Sequence, residues 1–83
     1  MISDYEHMLI SAMRYALGRR TYIVELTCRY IELQIPRLSD RCIDVMIKDI
    51  ESENNYGDEC DREDWMRLLE ELKNEQRTVE KRR

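Results

Sequence analysis

The sequence predicts an all-α fold, a compact bundle of about four short helices. Three observations carry that expectation. Two glycines and one proline in 83 residues offer too little turn chemistry for a sheet of many strands. Apolar residues recur at intervals of three and four in separate segments, the period of a helix face. A serine, threonine or aspartate stands at the head of each segment, where a helix needs a side chain to accept its orphan amides. The hydrophobic share of 42% supplies one small core despite 39% charged residues.

In the first segment, Ser3 is followed three residues later by Glu6, the spacing of a capping box. Tyr5, Met8, Leu9, Ala12, Met13 and Ala16 then form a broad apolar face, with Asp4, His7, Ser11 and Arg14 opposite. A helix over residues 4–17 follows. Gly18 stands where a left-handed residue would end it, and Arg19 and Arg20 lie near its negative pole.

Thr21 is placed to cap a second helix, in which Ile23, Leu26, Tyr30 and Leu33 recur at helical spacing. Val24, Cys28, Ile31 and Ile35 run alongside, and Glu25, Arg29 and Glu32 take the remaining face. Tyr22-Ile-Val also suits a strand, so a short strand at 22–27 is the minority alternative. Pro36 closes the segment.

Ser39 opens a third helix with Cys42, Ile43, Met46, Ile47 and Ile50 inward and Asp44, Lys48 and Glu51 outward. Residues 52–60 have asparagine, glycine and acids without an apolar period, and read as a loop. Asp61 is then expected to cap a fourth helix with a stripe of Trp65, Leu68, Leu69 and Leu72. The stripe is lost beyond Asn74, so residues 1–75 read as a single helical domain and 76–83 as a frayed charged tail.

Several chemistries find no support. No apolar run approaches a membrane span, and the opening MISDYEH lacks the basic region of a secretory signal. Three widely spaced cysteines without such a signal imply reduced thiols in a cytoplasm. His7, Cys28, Cys42 and Cys60 are the residue types of a tetrahedral zinc site. Each sits in a different segment with no C-x-x-C pair, so small core cysteines are the preferred reading and no metal or other cofactor is expected. The alternating oxygens of Asp49, Glu51, Glu53 and Asn55 fail as a calcium loop, because Asn54 and Cys60 hold the places of its glycine and closing glutamate. One histidine, no phosphate cradle and no nucleophile motif argue against an enzyme. Acids around Cys60 also disfavour its thiolate.

Charge distribution is the informative feature. The net charge of −4 weighs against direct nucleic-acid binding, whose affinity rests on neutralising phosphates. Residues 1–47 balance six bases against six acids, whereas residues 48–64 set Lys48 and Arg62 against eight acids. Acids in a first helical turn suit the helix dipole, and charged loops are readily solvated. The same cluster also suits a basic groove that normally holds nucleic-acid phosphate. On that reading Glu53, Asp58, Glu59, Asp61, Glu63 and Asp64 bind the partner, with Tyr56 as an aromatic anchor at the tip.

Arg14, Arg19 and Arg20 with Tyr22 form a second candidate patch, within the run RYALGRRTYIVEL. A helix stop at Gly18 and a start at Thr21 account for the shape of that run without a ligand.

RYALGRRTYIVEL, the Tyr56-Gly57-Asp58 segment and the Trp65 helix resemble small proteins of phages and mobile elements in Gram-positive bacteria. The resemblance covers residues 5–31 best and 56–69 less well. Some small acidic proteins of such elements are anti-CRISPR inhibitors, which bind type II effector nucleases and occlude their DNA or guide-RNA surfaces. The resemblance therefore implies a non-enzymatic, phage-encoded inhibitor in the host cytoplasm, partnered with a CRISPR effector nuclease and its guide RNA. These inhibitors share no general motif, so no residue roles carry over. The alternative is a small helical DNA- or RNA-binding regulator using Arg14, Arg19, Arg20 and Arg41; a structural helper is a third. Wide apolar faces on the first two helices leave a homodimer open.

Overall fold

The computed structural model describes the backbone of residues 2–19 and 22–82, and the side chains of residues 2–19 and 23–78. It is a four-helix bundle: α1 (Asp4–Ala16), α2 (Tyr22–Gln34), α3 (Asp40–Glu51) and α4 (Glu59–Arg82), with a 3-10 turn at Ile35–Arg37. The strand considered at 22–27 is helix, and Thr21, expected to cap it, lies outside the described residues. Local propensity there is ambiguous, and burial of Val24, Cys28 and Ile31 on one helical face decides it.

The capping box forms as the spacing requires: the Glu6 amide donates to Ser3 Oγ, and Glu6 Oε1 accepts the Ser3 amide. Its second oxygen accepts the backbone amide of Ser39 at 2.6 Å, at the head of α3. Glu6 is thus 5% exposed and joins the starts of two helices. At the other end of α1, Arg14 meets Asp49 at 2.7 Å, so α1 and α3 run side by side in one direction. Gly18, at φ +80°, ends α1 in the left-handed conformation expected of it.

Helix α1 presents a different face from the one expected. Glu6, Leu9, Ile10, Met13 and Ala16 point inward, while Tyr5, Met8 and Ala12 are exposed. On α2 the core takes Val24, Cys28, Ile31 and, just beyond, Ile35, and leaves Leu26, Tyr30 and Leu33 outside. Both helices carry more apolar surface than one core can absorb, and contact with α3 and α4 selects which stripe is buried. Helix α3 buries the five residues expected, and Ser39 Oγ caps it by accepting the Cys42 amide.

One expectation for α4 is corrected. Its cap is Asp58, whose Oδ1 accepts the Asp61 amide at 3.0 Å, and Asp61 is one turn in and buried. The helix runs to Arg82. Arg77 there bonds Asn74, and Thr78 bonds the Asn74 carbonyl, contacts local to the helix that need no apolar stripe. Trp65, Leu68 and Leu72 are fully buried, while Leu69 is only half-buried. No helix among the described residues is long and apolar enough to cross a membrane.

Candidate interaction surfaces

The acidic segment is not one surface. Asp58 is occupied in capping α4, and Asp61 is turned into the fold beside Gly57. Asp64 is held by Arg67 at 3.1 Å, which also reaches Glu32 on α2 at 3.0 Å. Glu53 accepts the amides of Asn54 and Asn55, shaping the loop. Tyr56 is half-buried: its ring packs against the core and its hydroxyl donates to the Ile50 carbonyl at 2.6 Å. The aromatic anchor expected at the tip is therefore tied to the end of α3.

What remains outward is Glu59, Glu63 and the exposed Asp58 carboxylate, of which the cap uses one oxygen. Asp58 and Glu59 rim a shallow depression with Gly57 and Arg62. Among the described residues these three acids form no ion pair, although Arg62 shares the depression, whereas Glu25, Glu32, Asp44, Asp49 and Glu51 each hold a lysine or arginine. The positive end of the α4 dipole stabilises the trio in place. The negative charge of Asp58, then burial, then Glu63, Asp61 and Asp64 raise the pKa of the neighbouring Cys60 thiol.

The basic patch is likewise divided. Arg14 is engaged by Asp49, and the Arg19 guanidinium stacks over the Tyr15 ring at 4.3 Å. Arg20 and the side chain of Tyr22 lie outside the described residues. Arg41 heads α3, beside the Glu6 junction and at the opposite end of α1 from Arg14. Among the described residues, Arg41 therefore lies apart from Arg14.

The zinc set is not assembled. Cys28 and Cys42 are buried in the core, His7 and Cys60 are exposed, and no metal-ligating cluster occurs among the described residues. Burial, then the nearby acids Asp64 and Glu32, pushes the Cys28 thiol up to about 12. Burial and Glu6 push Cys42 up to about 11. At neutral pH neither is a thiolate.

The surface that the sequence reading mislocated is apolar. On α1, Tyr5, Met8, Ala12 and Tyr15 are exposed at three-four-three spacing, and on α2 Ile23, Leu26, Tyr30 and Leu33 repeat it. The Tyr5 hydroxyl donates to Gln34 at the end of α2. That contact ties the start of α1 to the end of α2, so the two helices run antiparallel. The spacing was visible in the sequence; that it faces water was not. Comparison with protein-family models, curated proteins and solved structures finds no match to this chain.

Proposed function

We propose that this chain is a non-enzymatic, phage-encoded inhibitor that covers a basic, phosphate-binding surface of a host nucleic-acid enzyme. A type II CRISPR effector nuclease is the target that the resemblance of RYALGRRTYIVEL and the Trp65 segment suggests. One observation carries the reading: Asp58, Glu59 and Glu63 stay unneutralised among the described residues, in a fold that pairs many of its other acids. Such a trio speeds encounter with a positive channel and competes with the phosphates that normally fill it. The three raised or buried thiols and the exposed lone histidine favour binding over catalysis. The rival regulator draws on Arg14, whose charge Asp49 already holds.

The test uses Glu59→Lys/Glu63→Lys, which spares the capping Asp58 and the buried Asp61. Purified wild-type protein is expected to bind the nuclease–guide complex and suppress DNA cleavage. The double variant should lose at least about tenfold in association rate at low salt, because steering charge is reversed. A helical variant that inhibits as well as wild type refutes the acidic site. Wild-type protein that leaves cleavage untouched refutes the target.

A further inference from the structure

We infer that the exposed α1–α2 face binds a second copy of this chain, forming a two-fold dimer in which one helical hairpin packs against the other. The spacing carries the argument. An average repeat of 3.5 residues is what keeps a seam of side chains facing a partner helix, and here both helices of one hairpin show it on the water side. Met8 is 71% exposed, Tyr30 50% and Leu33 76%, although the fold buries other apolar residues on the same helices almost completely.

Area and charge select a second copy as the occupant. The two stripes leave seven large apolar side chains 37% to 76% exposed per copy, a face that two copies cover together at the scale of roughly 1,200 Å² where specific interfaces begin. Self-association brings like charges together unless the face is balanced. Residues 1–47, which hold α1 and α2, are balanced, and Arg29 beside the α2 stripe is paired with Glu25 at 3.1 Å. The acidic surplus lies outside both helices, in residues 48–64, which span the end of α3, the loop and the head of α4; α4 itself packs on α2 through Arg67 and Glu32. A two-fold contact needs a self-complementary patch, and an antiparallel hairpin with the same stripe on both arms is one. Four antiparallel helices with seam spacing then pack as an ordinary bundle.

Light scattering and sedimentation equilibrium test this. At roughly 100 µM, well above the micromolar range of weak interfaces of this size, the wild type is expected at twice its 10.2 kDa monomer mass. Leu26→Glu/Leu33→Glu should return the monomer mass with an unchanged helical spectrum. Met8→Glu, at a side chain that supports no core, should independently weaken the dimer at least tenfold. Glu59→Lys/Glu63→Lys should remain dimeric, which separates this face from the proposed inhibitory corner. A monomeric wild type, its face left for a different protein, overturns the inference. So does a Leu26→Glu/Leu33→Glu variant or a Met8→Glu variant that stays as dimeric as wild type.

Discussion

The Glu6 carboxylate accepts the backbone amide of Ser39 at 2.6 Å while its other oxygen accepts that of Ser3 at 3.0 Å. One side chain therefore satisfies orphan amides at the heads of α1 and α3, far apart in sequence. Burial alone would raise its pKa; hydrogen bonds from the Ser39 and Ser3 backbones and hydroxyls outweigh it and hold it at about 2.

The sign of the pH effect follows. The folded-state value of about 2 lies below the ordinary 4.5, so this group stabilises the fold fully above the latter and loses that contribution as pH falls toward the former. Glu6→Gln puts an amide donor against a backbone amide and should cost about 1–3 kcal/mol at neutral pH. Urea denaturation of both proteins from neutral pH down to acid should show a smaller acid loss in the variant; parallel curves would remove Glu6 from the account.

Gly57 and Gly18 both have positive φ, at +91° and +80°, but only Gly57 is crowded. A Cβ at Gly57 would lie 2.8 Å from Asp61 Oδ2 and 3.4 Å from the Arg19 carbonyl, whereas at Gly18 the nearest atom is 3.8 Å away. Gly18→Ala should therefore cost about 1 kcal/mol from conformation alone, and Gly57→Ala roughly 2–3 kcal/mol. Thermal melts that rank them in the opposite order would contradict the packing of the loop on the α1–α2 turn.

Trp65 is fully buried, and its indole N–H meets no acceptor among the described residues. Trp65→Phe loses volume but no hydrogen bond, so it should cost well under half of the ~3–5 kcal/mol expected for Trp65→Ala. Equal losses for the two variants would mean that the N–H is bonded after all.

Cys60 is exposed, and Asp58 leads the acids that raise its thiol pKa. Alkylation should be slower than for a free cysteine, and should accelerate with added salt or with Asp58→Asn. Cys28 and Cys42 should label only after unfolding, being buried. A Cys60 rate insensitive to salt would show that its neighbours do not set its reactivity.

Much of the fold is legible locally. Ser3 with Glu6, Ser39 with its first turn, and Gly18 are terminus signals whose chemistry acts within a few residues. Helix α3 was readable in full because its apolar residues make one narrow stripe, so there is a single way to bury it. The start of α4 was misread because Asp58 and Asp61 are equally good caps by type, and only the path of the loop distinguishes them. The candidate acidic site shrank for a related reason. Sequence counts charges, while Arg67 and the α4 cap determine which remain available.

The sequence by itself determined four helices, the caps of α1 and α3 and the place where negative charge accumulates, because periodicity, capping and composition are local properties of the chain. The tertiary structure alone decided which of two apolar stripes on α1 and on α2 turns inward. Each helix could bury either stripe at similar gain per unit area. The choice was made by contacts distant in sequence, Glu6 with Ser39, Arg14 with Asp49 and Glu32 with Arg67, which fix the rotation of each helix and leave Met8, Tyr30 and Leu33 to water.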